Sequence, residues 1–388
     1  MKKKYIIFLI ITLVLLVVLI TSFNYFKTTN TYIDDSVNNQ TKITKGISMN
    51  LEQTAGAGDY KTVTRSSWPT EGYKFNTELS RCENGGEINW DDINKKVIVT
   101  GNVSDKCYVY FDIWIPSIAA YCTSGTDLAT CVKNFGDQGP SVSNIYIHNS
   151  ALTNGAGDNS YRYAGANPNN YVCFGSEATT CPDANLFRII GVFGDQAKVI
   201  RAKSVGDQPW HTSQVNNWSS SSLNTYLNGE YLTSLGTLAE KIATTTWKVG
   251  GGDEANISFS VPATAYQYEV GSSASTTTVD KKIGLMYVSD YYYSASPSAW
   301  TLVGYDSDAT KDYRAATSTN WLYLGSTEWT ISRNSGYTYL AFLVNSAGYV
   351  YYSGYVPVSL AVRPSFNLLS SVKYISGSGS MSDPVRIN

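Results

Sequence analysis

Residues Tyr5 to Phe23 form an uninterrupted apolar run, YIIFLIITLVLLVVLITSF, directly behind Lys2, Lys3 and Lys4. As a helix it would be about 28 Å long, close to the hydrocarbon thickness of a bilayer. Its only polar members, Thr12, Thr21 and Ser22, can return their hydroxyl hydrogen bonds to the helix backbone. The basic flank predicts a cytoplasmic tip at 1–4, a transmembrane anchor at 5–23 and the bulk of the chain outside the cell. A cleaved signal peptide also has a basic start and an apolar core. Here the core is longer, TSFNYFKTTN offers no small-x-small cleavage site, and no nearby cysteine could take a lipid. A retained single-pass anchor in the cell membrane, N-terminus inside, is therefore favoured. Both readings export the rest.

Export gives the cysteines their meaning. The six fall as local pairs, Cys82 with Cys107, Cys122 with Cys131 and Cys173 with Cys181, and none follows residue 181. An even count outside the cytoplasm suggests disulfides, and neighbour pairing is the simplest of the connectivities. A structural zinc site is disfavoured, since no CxxC spacing occurs and only His148 and His211 could contribute nitrogen. Charged residues make up only 15% of the chain and the net charge is −2, with three of the positive charges inside residues 1–4. That surface is a poor partner for nucleic acid, which needs dense basic patches. With 30 Tyr and 9 Trp, the palette suits β-rich extracellular surfaces, where flat rings offer contact area at low entropic cost. Most of these rings are expected to fill cores and cross-strand pairs.

Beyond the anchor, residues 24–46 read as a solvated linker rich in Thr, Asn and Lys. A small β domain follows at 47–116, where VTRSSWPTEGYKFN, EINWDDINKKVIVTG and DKCYVYFDIWIP alternate apolar and polar residues between turn signals. So short a domain has a thin core, which a Cys82–Cys107 bridge would reinforce. Residues 117–143 read as a helical connector with a helix over Asp127–Phe135 and Gly136 at its end. The remainder, 144–388, opens with a strand meander that includes a hairpin at Gly194-Asp195. Ser221 or Ser222 can cap a helix bearing Leu223, Tyr226 and Leu227, and a second short helix carries Leu238, Lys241 and Ile242. AFLVNSAGYVYYSG predicts a second hairpin around Asn345-Ser346-Ala347-Gly348.

The order of elements from about 186 to 388 resembles a family of uncharacterised exported bacterial domains, found in Gram-positive bacteria and related to the formylglycine-generating-enzyme and C-type-lectin-like fold. The residues that carry it are Phe187-Arg188-Ile189-Ile190, Trp218 leading into Leu223-Asn224-Thr225-Tyr226-Leu227-Asn228, and Glu240-Lys241-Ile242. Ile283-Gly284-Leu285-Met286, Glu328-Trp329-Thr330-Ile331-Ser332-Arg333, Val344-Asn345-Ser346-Ala347-Gly348, Ala361-Val362-Arg363-Pro364 and Asp383-Pro384 complete the series. The resemblance implies an α+β domain at 144–388, with two helices beside a small antiparallel core and one loop-built aromatic face. Arg363 lies between apolar neighbours just before a proline, and pairing with a buried carboxylate or backbone carbonyls is favoured over ligand contact. Arg188 is assigned the same structural role.

No catalytic constellation emerges. The oxidase chemistry of formylglycine-generating enzymes needs a cysteine pair in the C-terminal half, and this chain has none there. His211, in QPWHTS, has no GxSxG-like serine motif beside it. Glu240, Asp253, Glu254, Asp290 and Glu328 show no spacing that singles out a glycosidase pair. Asp306, Asp308 and Asp312 in YDSDATKDY could offer oxygens to calcium, but the EF-hand glycine and glutamate positions hold Lys311 and Thr317. A solvated acidic loop is favoured, with no cofactor. The sequence therefore predicts an extracellular binding protein, an adhesin for a glycan, cell-wall polymer or protein ligand. A structural or assembly component of the envelope is the alternative, and an extracellular hydrolase comes third. The expected ligand contacts are Trp321, Trp329, Tyr337, Tyr351 and Tyr352, because Trp and Tyr stack on sugar faces or fill protein hot spots. For Trp329 a place in the core is an equal expectation.

Overall fold

The computed structural model describes residues 46–388 apart from 55–56, 65–67, 70–71, 92–93, 101–104 and 115. The anchor expected at 5–23, and the tip and linker around it up to residue 45, lie outside the described residues. The chain divides into two compact units, the second being Pro116–Asn388.

The first unit is a four-stranded sheet with a separate hairpin. Its strands are β1 (Ile47–Glu52), β2 (Tyr60–Val63), β3 (Tyr73–Cys82), β4 (Glu87–Asp91), β5 (Lys96–Thr100) and β6 (Cys107–Ile113). The sheet order is β2-β1-β6-β3, with β4 paired to β5. Period-two alternation puts Cys107, Val109 and Phe111 of β6 inward beside Met49 and Leu51. Phe111 then gathers the rings of Trp68, Phe75 and Trp90, with centroids 5.3–6.0 Å away. Cys82 and Cys107 face each other across β3 and β6 and are joined by a disulfide.

In the second unit the strands are β7 (Ile145–Ile147), β8 (Tyr161–Tyr163), β9 (Tyr171–Cys173), β10 (Leu186–Phe193), β11 (Gln196–Arg201), β12 (Asp207–Pro209), β13 (Thr245–Lys248) and β14 (Thr278–Lys281). They are followed by β15 (Glu328–Arg333), β16 (Leu340–Val344), β17 (Val350–Tyr355), β18 (Ser359–Ala361), β19 (Ser365–Asn367), β20 (Tyr374–Ser376) and β21 (Val385–Ile387). One sheet runs β19-β11-β10-β9-β21-β20, with β8 on β10 and β7 on β8, and a second runs β12-β18-β15-β16-β17. β10 is the spine of the first sheet, and its LFRIIGV is buried on both faces. It turns into β11 at Gly194-Asp195, with Phe193 opposite Gln196 and Gly194 at φ 63°. Gly191 lets β8 approach, because a Cβ there would collide with the carbonyl oxygen of Tyr161.

Residues 116–143 belong to this unit. The helix Leu128–Gly136 carries Leu128, Val132 and Phe135 at i, i+4 and i+7 and lays them into the main core. Disulfides join Cys122 to Cys131 and Cys173 to Cys181. All three bridges therefore follow neighbour pairing.

The α+β expectation is corrected, for both units are built mainly of sheet. Among the described residues the longest helices, Leu128–Gly136 and Pro262–Glu269, have nine and eight residues. Among the described residues no helix is long and apolar enough to cross a membrane. The helix expected after Ser221 does begin there, and Ser221 Oγ accepts the Asn224 N–H at 3.0 Å. It spans only Ser222–Tyr226 before widening into a π turn, and the second helix is a 3₁₀ segment, Gly236–Lys241. Isolated turns of this length gain little from helical hydrogen bonding.

Candidate functional site

The five aromatic residues singled out in the sequence separate into two groups. Trp321 and Trp329 are core: their indole N–H groups donate to the carbonyls of Tyr163 and Gln208 at 2.8 and 3.0 Å, and both rings are at least 95% buried. Both are unavailable to a ligand: the expected contact role fails for Trp321, and Trp329 takes the core place that was its equal expectation. Tyr337 is exposed, and Tyr351 and Tyr352 are half-buried. Tyr351 and Tyr352 are sequence neighbours on β17, where an ideal strand would send them to opposite faces. Between the pairs Leu343–Tyr351 and Ala341–Gly354, β17 has two residues opposite the single Phe342 of β16. This bulge re-aims the side chains, and the two rings lie 5.2 Å apart. Phe259 packs on Tyr352 at 5.2 Å, while Tyr305 and Tyr349 extend the cluster at 5.1 Å from each other. Arg314 sits over both Tyr305 and Tyr349. Tyr337, Tyr339 and Tyr355 form a second ring series, each about 40% exposed.

Arg363 pairs with Glu328 through Nε to Oε2 at 2.8 Å and Nη2 to Oε1 at 2.6 Å, and it also donates to the Leu322 carbonyl. Arg188 has no carboxylate. It donates to Asn170, Asn167 and the carbonyls of Trp321 and Pro168, and lies 4.3 and 4.5 Å from the rings of Tyr171 and Trp321. Burial, against the pull of Tyr171 and helped by repulsion from Arg363, lowers its guanidinium to about 10.

Asp306, Asp308 and Asp312 do not converge on a shared centre. The Asp312 carboxylate is buried and bound by the Arg314 side chain and by the amides of Asp306 and Arg314. Asp306 caps the Asp308 amide, and Asp308 accepts from Thr310 and pairs with Lys311. Among the described residues the one group with metal-ligand proximity is Cys82, Asp105 and Cys107, whose two sulfurs are bonded to each other.

A site that the sequence reading passed over is a cleft of about 230 Å³ lined by Asp158, Arg162, Lys198, Trp247, Tyr266 and Asp290, among others. Arg162 comes from β8, Lys198 from β11, Trp247 from β13, Tyr266 from the helix Pro262–Glu269, and Asp290 from the buried helix Val288–Tyr293. The charges alternate. Asp158 meets Arg162 at 2.6 Å, Arg162 lies 3.7 Å from Asp290, and Asp290 holds the Lys198 ammonium at 2.5 Å. Burial pulls Lys198 below the ordinary lysine range, opposed by Asp290. Burial also works against charge on Asp158, yet Arg162 and the Ser160 hydrogen bonds hold it down to about 2. Lys198 additionally faces the rings of Tyr287 and Trp247 at 4.6 and 5.3 Å. One sequence signal was available: Lys198 interrupts an otherwise apolar inward strand, QAKVIR.

A glycosidase reading of this cleft lacks its acid. Asp158 is held ionised, and Asp290 is clamped by Lys198 and the Tyr287 amide. Glu269 is pushed up by burial, but its oxygens take the amides of Val288 and Ser289 and the Ser332 hydroxyl. His148 is fully buried, with Nδ1 accepting the Ala156 N–H and burial forcing its pKa down to about 2, so it is no base. His211 Nδ1 accepts the Ser213 amide. No protein-family model, curated protein or solved structure matches the chain.

Proposed function

We propose that the protein is an exported binding protein whose ligand is a glycan or cell-wall polymer, held on the tyrosine strip of the second unit. The observation that carries this reading is the bulge in β17. It brings Tyr351 and Tyr352 together beside the exposed Phe259, with Tyr305 and Tyr349 adjoining, so that consecutive half-buried rings lie side by side. Flat aromatic faces stack on the apolar face of a sugar ring, and their phenol hydroxyls remain available to its hydroxyls. Arg314 over Tyr305 and Tyr349 adds a donor at one end. Three disulfides suit the oxidising space outside the cytoplasm.

The test is a glycan and cell-wall-polymer array probed with the whole chain, with and without EDTA. Saturable binding to one polymer class, unchanged by EDTA and weakened roughly tenfold by Tyr352→Ala or Tyr351→Ala, is the expected result. Binding that both variants leave untouched would remove the strip from the reading. Absence of any polymer binding, together with self-association or one co-purifying envelope protein, would favour an assembly role instead.

A further inference from the structure

We propose that the charged cleft between β8, β11, β13 and the helix Pro262–Glu269 is a second binding site, for a small neutral polyhydroxylated molecule the size of one sugar ring. The first reason is charge. The buried Arg162 and Lys198 line the cleft with Asp158 and Asp290, and the half-buried Lys248 donates to the Gly271 carbonyl. The two buried cations are matched by two carboxylates that are already their neighbours. A ligand ion would add an uncompensated charge to a low-dielectric place, which is costly. A hydroxyl costs far less, because it can accept from a cation and donate to a carboxylate at once.

The second reason is unfilled hydrogen-bonding capacity. Asn367 Oδ1 is buried and has no partner, although its Nδ2 donates to Thr245 Oγ1 at 3.1 Å. The Ser289 hydroxyl is engaged by the Glu269 carboxylate, whose charge it stabilises. Both residues line the cleft. Buried polar atoms are ordinarily satisfied, so the orphan oxygen of Asn367 on the cleft lining points to an occupant that supplies the missing donor. Arg162 adds a second position, because its Nε and Nη2 are committed to Ser160 and Asp158 while Nη1 is ion-paired with Asp290 at 3.7 Å without a hydrogen bond.

The third reason is size and lining. A cavity of about 230 Å³ is smaller than the roughly 300–1,000 Å³ that hold drug-sized ligands. Phe193, Trp247, Tyr266 and Tyr287 contribute aromatic wall. The combination of ring faces with alternating donors and acceptors fits a pyranose and its hydroxyls.

The experiment is calorimetric titration of the whole protein with the methyl glycosides of glucose, galactose, mannose and N-acetylglucosamine, with glucuronate and glucosamine as charged comparators. At least one neutral glycoside is expected to bind saturably, and the matching charged sugar at least tenfold more weakly. Asn367→Ala and the conservative Tyr266→Phe should each weaken binding by about three- to tenfold. Tyr352→Ala should leave it unchanged, which separates this site from the tyrosine strip. Equal or tighter binding of a charged sugar would overturn the charge argument. Insensitivity to both cleft variants would place the ligand elsewhere. Failure of every neutral glycoside to bind would leave the cleft to solvent and end the proposal, whatever the array shows for polymers.

Discussion

Replacing Glu328 by Gln removes the one carboxylate bound to the Arg363 guanidinium, at the join between the second sheet and the tail. Both side chains are at most 3% exposed, and the pair is bidentate at 2.8 and 2.6 Å. Arg188 lies near enough for Arg363 to depress it, and it has no carboxylate of its own. Glu328→Gln would therefore leave two neighbouring buried guanidiniums held only by neutral acceptors. The glutamine oxygen can still accept one hydrogen bond, but the charge compensation is gone. Removing one partner of a buried pair costs about 3–5 kcal/mol, and the second arginine places this case in the upper half of that range. The double variant Glu328→Leu/Arg363→Met removes both charges, and its cost should fall well below the sum of the single changes. Urea unfolding followed by near-UV circular dichroism gives the totals, and hydrogen exchange of β15 and β16 peptides localises the effect. A Glu328→Gln cost within about 1 kcal/mol of wild type, or a double variant whose cost equals the sum of its singles, would refute the argument.

Two further outcomes follow from the same physics. His148 is held neutral in the folded state because burial, reinforced by Arg162 and opposed by Asp158, lowers its pKa to about 2 from 6.5. The unfolded chain then binds a proton that the folded chain refuses as pH falls below about 6.5, so stability is full above that pH and declines beneath it. Between pH 7.5 and 5 this amounts to roughly 2 kcal/mol; urea midpoints at the two pH values should show the loss in wild type and a flattened dependence in His148→Asn, and equal slopes would refute the assignment. Replacing Cys82 and Cys107 together by serine should cost the first unit about 3 kcal/mol on the chain-entropy account, seen as faster hydrogen exchange in β3 and β6, and unchanged exchange would mean that the bridge adds nothing to this sheet.

Features set by short stretches of chain were legible without the fold. The turn at Gly194-Asp195, the cap at Ser221, the hairpin ending at Gly348 and the pairing of neighbouring cysteines all depend on residues close in sequence. A buried partner for Arg363 was also legible, from a long cation set among apolar neighbours, though not the geometry that joins it to Glu328. What failed were inferences about the environment of a side chain. Trp321 looks like a contact residue in the sequence and is walled in by Tyr163 and Arg188, which come from other strands. The short apolar faces after Ser221 and near Leu238 suggested two helices, whereas the first ends at Tyr226 in a π turn and the second is a 3₁₀ segment. The charged cleft exists only because β8, β11, β13 and two helices deliver Arg162, Lys198, Trp247, Tyr266 and Asp290 to one place. Turns, caps and local bridges are decided by neighbours along the chain. Burial, compensation of charge and the shape of a cavity are decided by whatever the fold brings across from elsewhere, and only the tertiary structure supplies that.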